Sequence, residues 1–214
     1  MHRLIVAAMT AALICAIASH AQARPRKGFH SGPYLALEVG VVQEDFDNNR
    51  VTGRDVGNNL EPTFGFLFGW NIWDSFSAEL QGRYATSTNG GSREHIANAN
   101  AYARWSFITD ALTNFESLRI LPFLKAGLAV RVEALPGAPT APHGTVTRVG
   151  IGPSVGGGLS FLVKKYLYFG VDLQEDLFTL DDLNQTVNGV PNVLVYKGGF
   201  HPSFSGAVML GVHY

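Results

Sequence analysis

Apolar and polar residues alternate along most of this chain with a period of two, the period of a β-strand. The pattern is sharpest at the carboxy-terminal end, Phe204-Ser-Gly-Ala-Val-Met-Leu-Gly-Val-His-Tyr214. There Phe204, Gly206, Val208, Leu210, Val212 and Tyr214 share one face, and Ser205, Ala207, Met209, Gly211 and His213 the other. Read with the same period, the chain predicts eight strands, at about 33–43, 61–70, 76–87, 96–107, 119–132, 146–162, 167–177 and 203–214. One face of each collects the bulky apolar residues, such as Leu35, Leu37, Val39 and Val41 in the first strand and Leu124, Ala126, Leu128 and Val130 in the fifth. The opposite faces carry Glu38, Glu79, Arg83, Arg104, Lys125, Arg131, Arg148, Asp172 and Asp176, spaced by glycines such as Gly65, Gly127, Gly156 and Gly170. Charges that share a strand agree in phase: Glu79 with Arg83, Lys125 with Arg131, Asp172 with Asp176.

An apolar face on every strand needs something to cover it. A closed antiparallel barrel in a membrane covers it with hydrocarbon and leaves no sheet edge unpaired. A secreted soluble barrel of the lipocalin kind inverts the faces. The glycines and serines of the charged face speak against that inversion. The expected class is therefore all-β, an eight-stranded antiparallel up-and-down transmembrane barrel with a salt-bridged polar lumen. Strand length agrees: eleven residues extend roughly 37 Å and, tilted by about 45°, cross roughly 26 Å of bilayer.

The connections sharpen the orientation. Segments 44–60, 88–95, 133–145 and 178–202 are long and polar, whereas 71–75 and 163–166 are tight and 108–118 is intermediate. Long outer loops alternating with short inner turns place both ends of the barrel on the inner side of the membrane. Trp70, Trp73, Phe76, Trp105, Phe107 and Tyr214 then gather at the inner rim as an aromatic girdle, where amphipathic rings prefer to sit.

An eight-stranded barrel is just wide enough for side chains to fill. Lone buried charges in it cost several kcal/mol each, so the nine inward charges must find partners. Strand order pairs Glu79 with Arg104 at the inner end, and Asp176 with Arg148 near the outer rim beside Arg131. The functional alternative to this ion-paired plug is a narrow or gated ion path along the same row.

Residues 1–23 are read as an export signal: a polar start at His2 and Arg3, an apolar run from Leu4 to Ala18, and the small-x-small site Ala21-Gln22-Ala23. Residues 24–32 form a short lead-in, and the barrel domain is 33–214. The sole cysteine, Cys15, lies in the signal, so the mature part can form neither disulfides nor thiolate metal sites. Of 16 Lys and Arg only Arg3 lies in the signal, leaving 15 against 17 Asp and Glu, and no basic excess for nucleic acid.

Catalytic chemistry finds little support. His30, His95, His143, His201 and His213 are scattered without metal-ligand spacing, so no metal or cofactor is expected. Loop residues such as Ser92, His95, Asp181 and Asp182 could converge at one rim as a hydrolase, but loops are polar in any case. Gly150-x-Gly152 and Gly156-Gly157-Gly158 lack the strand-to-helix context and Lys-Ser/Thr ending of a phosphate loop. The loop acids Asp45, Asp47, Asp55, Asp181 and Asp182 lack the glycine and terminal glutamate of a calcium loop.

Three stretches carry a family likeness: Leu121-Pro-Phe-Leu-Lys-Ala-Gly-Leu-Ala-Val130, Gly150-Ile-Gly-Pro-Ser-Val-Gly-Gly-Gly-Leu-Ser-Phe161 and Leu167-Tyr-Phe-Gly-Val-Asp-Leu173. Followed by an aromatic-ended last strand, they resemble strands five to eight of the small outer-membrane barrels of Gram-negative bacteria. That group includes the transmembrane domain of outer membrane protein A and the opacity-type surface antigens. The resemblance implies a monomer in outer-membrane lipid and lipopolysaccharide, inserted by the outer-membrane assembly machinery through its last strand. Met209 departs from the glycine the family often places five residues before the final aromatic. The implied function is a non-enzymatic envelope or surface-contact role through four outer loops. A narrow passive channel is the alternative, and an embedded lipid A-modifying hydrolase stands third.

Overall fold

The computed structural model describes residues 32–44, 59–73, 75–89, 92–107, 118–136, 145–163, 166–187, 190–196 and 198–214. The proposed signal and nearly all of the lead-in lie outside them, as do Asp45, Asp47, Asp55, His30 and His143. The described strands are β1 (Gly32–Glu44), β2 (Asn59–Trp73), β3 (Phe76–Asn89), β4 (Ser92–Ser106), β5 (Leu118–Pro136), β6 (Thr145–Val163), β7 (Leu167–Leu180), β8 (Leu183–Val187), β9 (Val190–Tyr196) and β10 (Gly199–His213). Eight of them close into an antiparallel barrel in the order β1-β10-β7-β6-β5-β4-β3-β2, while β8 and β9 form a separate two-stranded sheet.

The register fixes the barrel's shape. Stepping across paired residues from Leu180 leads to Gly150, Arg131, Asn98, Arg83, Gly65, Glu38 and Met209. The circuit returns to β7 at Gly170, ten residues from its start on the same strand. A stagger of ten residues over eight strands corresponds to a tilt of about 40°. A barrel of this kind has no free edge and no open centre.

Alternation along each strand sorts the side chains. Leu37 (68% exposed), Leu128 (60%) and Val208 (61%) point outward, whereas Arg131 (1%) and Asp172 (0%) are buried inside. The core is therefore the polar lumen, and the greasy surface is the outside. Glu175 is an exposed acid in the same phase as Leu173 on β7, an outward charge the sequence reading did not include.

Two expectations about connections change. The segment 88–95 is mostly strand, because Asn89 pairs with Ser92, and β5 runs on to Pro136. The outer connections are thus less uniformly long than expected. The segment 178–202, expected as a loop, contains the β8–β9 hairpin, with Asp182 accepting a hydrogen bond from the Gly198 amide (2.6 Å) at its base.

Candidate functional site: the lumen

Every inward charge sits where strand alternation puts it, and the lumen is organised in three layers. At the inner end, Tyr34, Ala36, Leu67, Phe123, Tyr168 and Met209 form a buried cluster. Arg104 reaches into it from β4. Its Nη1 donates to Glu79 Oε1 (2.8 Å) and Tyr168 Oη (2.7 Å), and its Nη2 donates to Ser160 Oγ (2.5 Å). The guanidinium lies 3.8 Å from the Phe123 ring centre. Tyr34 donates to the same Glu79 oxygen (2.5 Å). Ser77 stands directly opposite Arg104 and Glu79 opposite Tyr102, so the ion pair is the diagonal neighbour on one face of the β3–β4 ladder.

The middle layer is a closed hydrogen-bonded ring. Gln81 donates to Asp172 Oδ2 (3.3 Å) and accepts from Asn100 (3.3 Å), which also donates to Tyr102 Oη (2.8 Å). Tyr102 meets Ser154 (2.7 Å), Ser154 donates to Asp176, and Gln174 donates to both Asp176 oxygens (2.8 Å). Lys125 then joins Gln174 (3.2 Å) to Asp172 (2.6 Å) and completes the circle. Arg83 clamps the ring to the neighbouring strands. Its Nε donates to Glu38 (2.8 Å), Nη2 to Asp172 (2.6 Å) and Nη1 to Ser205 (2.6 Å). β2 contributes space here in place of a partner. A Cβ on Gly65 would lie 2.9 Å from Arg83 Cγ and 3.0 Å from Glu38 Oε2, so only glycine leaves room for this clamp.

The outer layer holds Arg131, Glu133 and Arg148. Glu133 pairs with Arg148 Nε (2.5 Å) and with Arg131 Nη1 (3.4 Å), while Arg131 Nε donates to Asn98 (3.2 Å). The pairing of Asp176 with Arg148 is corrected. Asp176 stands opposite Ser154 on β6, six residues from Arg148, which is about 20 Å along the strand. Glu133, placed in a loop by the sequence reading, stands directly opposite Arg148. Its signal was available, since Arg131-Val-Glu133 continues the alternation. Also missed are the buried acids Glu61 and Glu94 and the rings of Tyr34, Tyr102 and Tyr168, which a pattern of inward charges does not flag.

In total seven carboxylates, Glu38, Glu61, Glu79, Glu94, Glu133, Asp172 and Asp176, and five cations, Arg83, Arg104, Lys125, Arg131 and Arg148, are buried on the inward faces of the described strands. Ion pairs thus stand in for an apolar core, although a paired interior is often worth no more than a greasy one of the same volume.

At the inner rim Trp70, Trp73, Trp105 and Tyr214 are exposed, and Phe76 and Phe107 are half-buried. Phe76 lies between Trp73 (ring centres 5.6 Å apart) and Trp105 (6.4 Å). Of the hydrolase candidates, His95 and Asp182 have other partners. His95 stands within β4 and meets Tyr84 Oη (2.5 Å), two residues outward-facing by phase, while Asp182 is occupied at the hairpin base. Among the described residues no group of three or more His, Cys, Asp or Glu is placed to hold a metal ion.

No protein-family model matches this chain, and no curated protein does either. Solved structures do. Neisserial surface protein A superposes with a TM-score of 0.58 at 14% identity, over 86% of this chain and 98% of its own. The fold is that of a small outer-membrane β-barrel. The outer membrane protein OprG of Pseudomonas aeruginosa (TM-score 0.45, 9% identity, 86% of this chain and 97% of its own) is also similar. So is the Yersinia pestis attachment invasion locus protein Ail (TM-score 0.43, 12% identity, 86% and 100%).

Proposed function

We propose that this chain is a non-enzymatic outer-membrane barrel that serves the Gram-negative envelope through structure or surface contact at its outer connections. Residues 1–23 export it and are cleaved off, and residues 24–32 lead into the barrel. The strand ending at Tyr214 is the one the outer-membrane assembly machinery engages, and the product stands as a monomer in outer-membrane lipid and lipopolysaccharide. The observation that carries this is the filled lumen. With the guanidinium of Arg104 against Phe123 at the inner end and a closed ring at mid-depth, transport needs the plug to come apart. The outer connections and the β8–β9 hairpin are then what distinguishes this barrel to its surroundings.

Fractionation, heat-modified gel migration and surface proteolysis test the placement together. Expected are an outer-membrane fraction, a folded band that shifts on boiling, and cleavage confined to the outer connections. A soluble protein whose migration ignores boiling contradicts the proposal.

A narrow passive channel is the second reading. It draws on a small cavity in the outer half of the lumen, between Val42, Thr63, Arg83, Ala85, Ile96, Asn98 and Ser205, with room for about one water. Liposome swelling decides between the two, since a plugged barrel leaves small sugars outside.

A further inference from the structure

The Arg104 guanidinium is held by side chains from five other strands. Tyr34 comes from β1, Glu79 from β3, Phe123 from β5, Ser160 from β6 and Tyr168 from β7. These walls also hold one another. Tyr34 donates to Glu79 (2.5 Å), the Tyr34 and Tyr168 ring centres are 5.5 Å apart, and Ser160 and Tyr168 exchange a hydrogen bond at 3.2 Å. The pocket offers an aromatic floor at 3.8 Å and further rings at 5.7 and 6.0 Å, with a carboxylate and two hydroxyl oxygens around the rim. A planar cation whose N–H groups lie in one plane satisfies the floor and the rim at once, whereas a compact ammonium satisfies one or the other.

We infer that the inner end of the lumen is a preformed receptor for guanidinium-class cations, with the Arg104 side chain as its resident, tethered ligand. Once the tether is cut, the pocket takes guanidinium or methylguanidinium from solution. This rests on the filled lumen described above but is separable from it.

The test is chemical rescue of the detergent-solubilised Arg104→Ala barrel. Melting of the heat-modifiable band and the near-ultraviolet circular dichroism of the tyrosines are followed against guanidinium, with sodium chloride and tetramethylammonium at matched ionic strength. The expected result is a saturable return of most of the lost melting temperature, at concentrations about tenfold below those at which sodium acts. Adding Phe123→Ala to the same variant abolishes the rescue. Where Arg104→Ala alone yields no folded band, the yield of refolding with and without millimolar guanidinium is read instead. A linear response, equal action by sodium, or an unrescued yield overturns the receptor. Conductance of the unsubstituted protein is recorded in parallel: an open wild-type lumen contradicts the plug while leaving saturable binding to the variant intact.

Discussion

The two ends of the lumen solve the same problem, a buried arginine, in different ways. At the inner end Arg104 is held by one carboxylate, two hydroxyls and the face of Phe123, inside an apolar cluster. At the outer end Arg131 and Arg148 both pair with Glu133, Arg131 lies 4.4 Å from the Phe178 ring centre, and β6 presents glycine opposite Arg131. A cation sealed among rings depends on every contact it makes, because no water replaces a lost one. Arg131 (1% exposed) and Arg148 (5%) are just as dry, but Arg131 also reaches Asn98 and Ser203, so one lost contact there leaves others. The inner end thus gathers its contacts on one cation, whereas the outer end spreads them over two.

That contrast ranks the expected effects. Arg104→Met leaves Glu79 buried without its cation and should cost about 3–5 kcal/mol in a urea titration of the folded band. Near-wild-type stability for it would erase the difference between the ends. Gly65→Val forces a Cβ and two methyls against Arg83 and Glu38, for about 1–3 kcal/mol of overpacking, read the same way. Glu133→Gln keeps an acceptor but removes a carboxylate from two cations, for about 1–3 kcal/mol, and the Glu133→Gln/Arg148→Gln pair should recover only part of that, since Arg131 still lacks Glu133. Trp73→Ala at the inner rim changes stability by about 1 kcal/mol or less but should alter partitioning into thinner bilayers, measured by folding yield in lipids of graded chain length.

Much of the fold was legible because hydrocarbon punishes a misplaced charge at every second position. Leu35 through Val41 and Phe64 through Trp70 declare their phase without help from neighbouring strands. Partners inside the lumen were harder to read. Which inward side chains meet depends on the ten-residue stagger, and no single strand records it. Glu79 and Arg104 meet because the β3–β4 register sets them two residues apart, while Asp176 and Arg148 fail to meet because the β6–β7 register sets them six residues apart. The β8–β9 hairpin escaped because Leu183–Val187 and Val190–Tyr196 are short and lie among the Asp, Asn, Gly and Pro of a loop. Glu175 shows the rule's limit, an outward acid where the strand nears the outer rim.

The most direct measurement exploits the absence of cysteine outside Cys15 of the proposed leader. Single cysteines at Leu128, Ala129, Ala207 and Val208 of the reconstituted barrel carry spin labels for collision with lipid-soluble oxygen and a water-soluble nickel chelate. High oxygen and low nickel accessibility at positions 128 and 208, with both reagents excluded at 129 and 207, is the expected pattern. Nickel reaching 128 and 208, or oxygen favouring 129 and 207, would place hydrocarbon on the wrong side of the wall.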